Sequence, residues 1–410
     1  MRGYKNIVTI YRQALLTLLC VCILTPTISA AELSYSAKSL IASQNNSQSN
    51  SNLFFNRLRI QSYAGLSANC AAEIEYELFP GWISSAEDVS SLSISNSNSR
   101  IYRIADLNHS LTANPAASGT KEYWLLEHNL DRALLRCQAG DWEYTVGRQA
   151  VTFGGMSVSP TDVFVPLAFK SLDQEFRPGV DGFRIHGGIG ETTEVEAGLL
   201  TGKAASAAEN GIYLRSHLLV GSIDLSPLLA SFKLNQLFGL TLQTDLGQLG
   251  LVFDGAYIRQ RKSALESLSE QKNWIPWTLG LNLQWSEKLF TMLDYHRNAM
   301  GTEKTENYLS NAVSTIYQEF PVMLLSRDYL LLNLSYQHSP LLSVSNSVIF
   351  NLNDSSFLNN TGLEWSFSED LLFAWQLSFA SGKKSASSVE KSSEFGDTPS
   401  SFKFILKHYL

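Results

Sequence analysis

The sequence predicts an all-β fold, namely a transmembrane antiparallel up-and-down β-barrel of about 16 strands, within a range of about 14 to 18. Three observations support this fold class. Apolar and polar side chains alternate in segments of about ten residues, aromatic residues stand at the ends of the apolar faces, and tight connections alternate with long ones. Together they are typical of a wall with lipid outside and water inside.

The composition fits such a wall. The chain has 410 residues, a net charge of −7, 44% hydrophobic and 11% aromatic residues, but only 17% charged residues, against roughly 25% in average globular proteins. This composition excludes disordered and collagen-like chains. The acidic balance and the lack of a basic block argue against a nucleic-acid partner.

The first thirty residues have the three-part layout of a secretory signal peptide. Residues 1–30 carry basic but no acidic side chains, an apolar run at 14–24, Pro26 and then small residues. The run is too short to span a bilayer, which needs about 20 apolar residues, although an uncleaved anchor is the alternative. Residues 31–52 are rich in Ser and Asn and are predicted to be a disordered leader, so that the barrel would occupy 53–410.

The alternation is clearest over Trp277–Trp285. Trp277, Leu279, Leu281, Leu283 and Trp285 share one face, and Thr278, Gly280, Asn282 and Gln284 share the other. Similar segments predict strands at roughly 53–63, 70–79, 121–137, 141–149, 180–189, 193–200, 211–222, 236–246, 249–259, 275–285, 288–297, 329–337, 341–352, 358–367, 370–381 and 401–410. A soluble antiparallel sandwich would also alternate, but such large aromatic faces favour lipid.

The connections predict the orientation. Short periplasmic turns, long outer loops and an even strand number would place both termini in the periplasm. Counting back from the C-terminus, however, places the long segments 80–120 and 150–179 on the periplasmic side. A further strand near 100–104 would correct only the first of them. The last segment, 402–410, resembles the C-terminal strand that outer-membrane proteins present to the barrel-assembly machinery, with Tyr409 penultimate.

Charged residues of the first half recur on the face opposite the apolar one. They are Arg57, Arg59, Glu73, Glu75, Glu77, Arg132, Arg136, Glu143, Arg184 and Glu196. An Arg or Lys facing lipid at mid-depth would cost roughly 2–4 kcal/mol, so these side chains are predicted to face the lumen. Two interpretations stay open, a salt-bridge lattice that stiffens the wall and an eyelet that selects solutes.

The most distinctive stretch covers 146–155, 159–166 and 173–184, preceded by Asp131 and Arg132. It resembles a block of bacterial outer-membrane porin-like β-barrel proteins, including the alginate-export-like barrels. The resemblance implies a loop at 150–179 that folds inward and adds Asp162, Asp173 and Arg177 to the lumen and constriction candidates. A periplasmic flap is the alternative. Arg148 falls in the lipid-facing phase of its strand, which predicts either a bulge or a position beyond the membrane.

Cys70 and Cys137 remain after export, which permits a disulfide between neighbouring strands, and two unpaired thiols are the alternative. The spacing of Cys and His predicts no metal site, and there is no phosphate-binding loop, so no cofactor is expected. Asp294 and His296 share a strand face, which is the arrangement that an outer-membrane hydrolase would use.

The sequence therefore predicts a non-enzymatic, porin-like channel of the bacterial outer membrane for passive passage of small polar or charged solutes. The main alternative is a closed barrel that acts as a surface adhesin or structural protein through 298–327 and 382–399. The expected partners are outer-membrane lipid, the barrel-assembly machinery and a small polar solute. The evenly apolar outer rows are compatible with a monomer or a homo-oligomer.

Overall fold

The chain forms a closed antiparallel β-barrel. The structure is a computed structural model that describes residues 31–45, 50–84, 102–105, 109–113, 123–165, 177–203, 209–233, 235–260, 272–314, 316–317, 320, 324–385 and 390–409. The predicted signal peptide lies outside these residues. Among the residues described, no helix is both long and apolar enough to cross a bilayer.

The strands follow one another around the barrel. They are β1 (Ala31–Asn45), β2 (Asn50–Ser67), β3 (Cys70–Ile83), β4 (His109–Ala113), β5 (Tyr123–Ala139), β6 (Trp142–Gln149), β7 (Val180–Gly188), β8 (Thr193–Leu200), β9 (Gly211–Val220), β10 (Ile223–Phe232), β11 (Asn235–Leu246), β12 (Leu249–Gln260), β13 (Asn273–Trp274), β14 (Trp277–Ser286), β15 (Leu289–Arg297), β16 (Asp328–Ser339), β17 (Leu342–Asn351), β18 (Phe357–Ser366), β19 (Leu371–Ser381) and β20 (Ser400–Tyr409). A short helix, α1 (Tyr308–Ala312), lies between β15 and β16.

The closed wall has 18 strands. Each strand pairs antiparallel with its neighbour, and β20 pairs with β1 to complete the ring. The short strands β4 and β13 pair only with one end of β5, at 124–128, and one end of β12, at 258–259. The predicted fold class is confirmed, and the strand number exceeds the central prediction of about 16 by two.

The first additional strand is β1, so the prediction of a disordered leader at 31–52 is wrong for 31–45 and, at the start of β2, for 50–52, and the barrel begins before residue 53. Leu33, Tyr35 and Ile41 point outward and are 71%, 50% and 54% exposed. The inward positions include Ser34, Ser36 and Lys38. A wet lumen accepts the same Ser-rich composition that a disordered linker has, and this is why composition alone misassigned the segment.

The second additional strand is β10, which lies directly after the predicted strand at 211–222. Pro227 stands in the middle of β10, where proline is unusual because it cannot donate to the ladder. Because neighbouring strands run in opposite directions, including β10 in the count from the C-terminus reverses the direction predicted for every strand before it. The connections after β3 and β6 then lie at the same end as the long connection after β15, without a further strand near 100–104, and the described residues 102–105 form no strand.

The two faces of the wall differ as predicted. On β14, outward Leu279, Leu281 and Trp285 are 45%, 37% and 64% exposed, whereas inward Thr278 is completely buried. Trp365 and Phe379 are 40% exposed on the outer faces of β18 and β19. These apolar side chains would face hydrocarbon, which only a closed barrel or a helix can cross with all its backbone groups bonded.

The wall is irregular between β5 and β7, because β6 ends at Gln149 and the chain turns inward. β4 pairs with the upper part of β5 in its place. Arg148 binds Asp181 of β7 through Nε–Oδ1 and Nη2–Oδ2 contacts of 2.7 and 2.9 Å, and its Nη2 also donates to the Ala105 carbonyl. Arg148 therefore lies in the outward phase, as its spacing indicates, but protein contacts cover it at this junction.

Inward-folded segments fill the long-loop half of the barrel with apolar side chains. The largest buried cluster joins Phe153 and Phe164 of the connection after β6 to Tyr213 of β9, Phe232 of β10 and Phe320 of the connection after β15. Their rings meet at centroid distances of 4.9–5.8 Å. This cluster consequently fills part of the lumen in the long-loop half.

Cys70 and Cys137 are paired neighbours on β3 and β5, and they form a disulfide near the short-turn end. Replacing both with Ser is expected to destabilise the barrel by about 2–4 kcal/mol, because the cross-link restricts the unfolded chain. Guanidinium unfolding followed by tryptophan fluorescence measures this effect. Dithiothreitol should lower the stability of the wild type to that of the variant and leave the variant unchanged. An insensitive wild type would contradict the prediction.

Candidate functional site

The connection after β6 crosses the lumen. Residues 151–165 leave the wall between β6 and β7 and contact the inner faces of β12, β14, β15 and β16 on the far side. Gly154 has φ +77°, and a Cβ there would lie 2.9 Å from Asp254 Oδ2 of β12. Only glycine fits this close approach without strain. We call residues 151–165 the inward segment.

The hydrogen bonds that attach the inward segment to the far wall include three of 2.7–2.9 Å. Thr161 Oγ1 donates to Asp254 Oδ2 of β12 at 2.9 Å. Thr278 Oγ1 of β14 donates to the Val158 carbonyl at 2.7 Å. Asn333 Nδ2 of β16 donates to Ser157 Oγ at 2.8 Å. The segment is thus fixed at both ends and narrows the lumen between them.

Asp162 and Arg177 join the two arms of this connection. The Arg177 guanidinium binds the Asp162 carboxylate and the Val165 carbonyl. Asp162 also accepts a bond from the Phe153 amide at 3.2 Å. Burial raises the pKa of Asp162, and the nearby Arg177 charge opposes that shift. This pair therefore holds the loop together. Asp173, the third candidate from the sequence motif, lies outside the described residues.

A buried ionic network lines the wall from β2 to β5. Arg59 Nη1 lies 2.6 Å from Glu77 Oε1, its Nη2 lies 3.2 Å from Asp131 Oδ2, and it also binds Glu75. The side chains of Arg59, Glu77 and Asp131 are 3–4% exposed, and those of Arg132 and Glu75 are 10% exposed. The network continues through Arg57, which donates from Nε to Glu77 at 2.9 Å.

A β-bulge inserts Asp131 into this network. The register of β3 and β5 shifts between Glu75 and Tyr76, so that Asp131 and Arg132 are both buried although they are consecutive. Arg132 Nη1 donates to Asp131 Oδ2 at 2.9 Å. Arg103, from the connection after β3, donates to Asn129 and to the Gly179 carbonyl at 2.9 and 2.8 Å. These contacts fit the lattice interpretation for this part of the wall.

A second set of charges is accessible from the lumen. On β5, β6 and β7, the side chains of Arg136, Glu143 and Arg184 are 42%, 28% and 20% exposed. Glu143 Oε1 lies 3.5 Å from Arg136 Nε and 3.6 Å from Arg184 Nη2. The set continues with Glu196 of β8 and Arg215 of β9, which are paired neighbours. We call these five residues the charged row.

The charged row reaches the inward segment. Arg215 stacks over the Phe153 ring at 5.5 Å, and Glu196 accepts a bond from the Tyr213 hydroxyl at 2.7 Å. The inward positions of β14 to β19 carry mainly neutral polar side chains instead, such as Asn282, Ser335, Ser345, Asn360 and Gln376. The lumen therefore has one charged wall and one neutral polar wall.

The structure thus divides the sequence-predicted residues into two groups. The ionic network encloses five of them, namely Arg57, Arg59, Glu75, Glu77 and Arg132. Four others face the lumen, namely Arg136, Glu143, Arg184 and Glu196. Glu73 belongs to neither group and is half-buried on β3. The sequence reasoning missed Asp131 and Arg103 as members of the ionic network. The consecutive charges of Asp131 and Arg132 break the alternation, and this signal could have indicated the bulge.

Asp294 and His296 do not form an accessible pair. Asp294 is completely buried on β15, and His296 is 4% exposed with Nδ1 2.9 Å from Thr278 Oγ1 beneath the inward segment. The hydrolase alternative, which requires them at a rim, is not supported by this geometry. Within the described ranges there is no group of three or more His, Cys, Asp or Glu side chains that could hold a metal ion.

Comparisons with known proteins place this architecture. No protein-family profile matches the chain, and no curated protein matches it in sequence at a significant level. Among solved structures, Pseudomonas aeruginosa OccK2 (OpdF), in complex with glucuronate, is similar at a TM-score of 0.57 and 10% identity, covering 93% of this chain and 98% of its own.

Two further structures are similar at the same level. Pseudomonas aeruginosa OccD3 (OpdP) has a TM-score of 0.54 at 11% identity, covering 93% of this chain and 92% of its own. Acinetobacter baumannii OccAB1 has a TM-score of 0.55 at 10% identity, covering 93% and 97%. These neighbours are porins rather than enzymes, and they give no support to the adhesin alternative. The chain has the fold of bacterial outer-membrane porins.

Proposed function

We propose that this protein is an outer-membrane channel for passive passage of small polar or charged solutes, without catalysis. The observation that carries the proposal is the charged row, which stays partly exposed inside a closed barrel and lies beside the inward segment that narrows it. Wall charges at a constriction bias which solutes enter. The neutral polar wall opposite supplies hydrogen-bond partners for the uncharged part of a solute.

The two charge groups have different roles in this proposal. The buried network of β2 to β5 is paired and shielded, and it stiffens the wall. Arg136 and Arg184 share a single carboxylate, Glu143, so that this part of the row carries a local excess of positive charge. The channel should therefore favour solutes with an anionic group. The glucuronate bound by OccK2 is a solute of this kind.

The test is ion selectivity in planar bilayers. Replacing Arg136 and Arg184 with Glu is expected to shift the reversal potential in a KCl gradient toward cation selectivity, because the local charge excess changes sign. We expect the permeability ratio of Cl⁻ to K⁺ to fall by roughly threefold or more. The wild type must first show open-channel current, and a folded barrel without current at any voltage would refute the channel.

Lys304 provides the matched control, because its side chain is 73% exposed on the connection after β15. Lys304→Glu makes the same kind of charge change at an exposed site outside the charged row and should leave the reversal potential unchanged. If the Arg136/Arg184 double variant also leaves it unchanged, solutes do not pass the charged row.

The proposal extends to two partners. β20 closes the barrel against β1 and presents Phe402, Phe404 and Leu406 outward, the apolar pattern that we expect the assembly machinery to bind. The second partner is another copy of this chain, and such an association would cover part of the outer wall. An exported chain with a cleaved signal peptide in a Gram-negative envelope is consistent with both.

A further inference from the structure

A concave apolar groove lies on the outer wall, at the long-loop end of β7 to β12. It is an open depression of about 740 Å³ and is lined mainly by outward side chains. Leu214 of β9, Leu229 of β10 and Phe238 of β11 are adjacent across the paired strands and are 47%, 51% and 52% exposed. Ala197 of β8 contributes only a methyl group beside them, which deepens the groove.

The rim of this groove is polar on one side. Three outward residues form this side, namely Ser231 of β10, Gln236 of β11 and Arg259 of β12, and they are paired neighbours. They lie two residues closer to the long-loop end of their strands than the apolar row of Leu229, Phe238 and Tyr257. Arg259 is exposed and is the one charged residue among those that line the groove. The groove thus runs from a cationic, hydrogen-bonding rim into a wholly apolar part.

The long-loop end of outer-membrane barrels faces the cell exterior, so this groove would lie in the outer leaflet with its rim at headgroup level. We propose that the groove is a binding site for a phosphate-bearing lipid of the outer leaflet. An acyl chain occupies the apolar part, and the phosphate contacts Arg259. The groove is on the lipid side of the wall, so the occupant differs from the solute of the lumen.

Charge complementarity is the argument for an anionic headgroup. Arg pairs with phosphate through charge-assisted hydrogen bonds, and Ser and Gln beside it donate further bonds to phosphate oxygens. A flat lipid-facing wall would bind surrounding lipid without preference. The depression beside Ala197 offers an acyl chain more contact area than such a wall does, and Arg259 selects the headgroup.

The experiment is native mass spectrometry of the full-length protein in detergent with dimyristoyl phosphatidic acid, and with dimyristoylglycerol as the probe without phosphate. The wild type should retain one phosphatidic acid molecule with at least tenfold preference over dimyristoylglycerol. Arg259→Gln should remove that preference, and Ala197→Trp should remove binding because its indole fills the groove. Heat-modifiable migration on SDS gels verifies that each variant is folded.

Arg297 supplies the control, since it is an outward arginine near the same end of β15, outside the groove, with its side chain 43% exposed. Arg297→Gln should retain the lipid like the wild type. Equal retention of both probes by the wild type, or unchanged preference in Arg259→Gln, would show non-specific annular lipid and overturn the proposal. If Ala197→Trp fails to fold, Ala197→Phe provides the same test.

Discussion

Replacing Arg59 with Met should destabilise the folded barrel by about 3–5 kcal/mol, because the substitution leaves buried carboxylates without their shared cation. Arg59 is 3% exposed and binds Glu75, Glu77 and Asp131 from two neighbouring strands. Methionine retains much of the side-chain volume, so that the lost charge dominates the effect. Guanidinium unfolding of the protein in lipid vesicles, followed by tryptophan fluorescence, measures the difference.

Arg136→Met is the matched control. Arg136 makes an inward ion pair of 3.5 Å with Glu143, but its side chain is 42% exposed. A solvent-exposed pair contributes only about 0–1 kcal/mol, so this variant should unfold at nearly the wild-type denaturant concentration. Similar losses in the two variants would mean that water reaches the ionic network and that it is not a rigid part of the wall.

Weakening the attachment of the inward segment to the far wall, while the Thr161–Asp254 bond remains, should roughly double the single-channel conductance. The double variant Thr278→Val and Asn333→Leu removes the bonds to Val158 and Ser157, which are 2.7 and 2.8 Å long. Each lost bond to a buried group costs about 1–3 kcal/mol. The combined loss from the two bonds is large enough to raise the detached fraction of the inward segment by at least about tenfold. Noise in the current should increase with that fraction.

Ser345→Ala is the control for this experiment, since Ser345 is an exposed inward residue of β17 on the same neutral wall. Its conductance should match the wild type. Unchanged conductance in the double variant, with a folded barrel on SDS gels, would mean that the inward segment does not limit the current.

The alternation of side chains made the barrel predictable, and its two failures have physical reasons. β1 uses Ser and Ala where other strands use Leu, so its pattern resembles that of a linker. β10 carries Pro227 in its centre and follows β9 after a turn of only two residues, at 221–222, so the sequence prediction ended a strand at 222 and left 223–232 unassigned. The number of strands determines which connections lie on the periplasmic side, so each missed strand also made that assignment wrong for part of the chain.

The candidate site was only partly predictable. A period of two identifies which charges face inward, but it does not show which of them are covered. Arg132 and Arg136 occupy the same face of β5, yet the first is 10% exposed and the second 42%. The difference arises from residues far away in sequence, since the Arg177 carbonyl accepts a bond from Arg132 at 2.8 Å. No local pattern records such a contact.

The early departure of β6 from the wall has a consequence for biogenesis. Beyond the end of β6, the gap between β5 and β7 is covered by β4 and by the contact of Arg148 with Asp181. A barrel in which β7 to β20 have already paired would still let solutes pass through this gap. We therefore expect the barrel to become impermeable only when the segments before and after β6 have packed against the wall, so that the last step of insertion depends on folding of the interior.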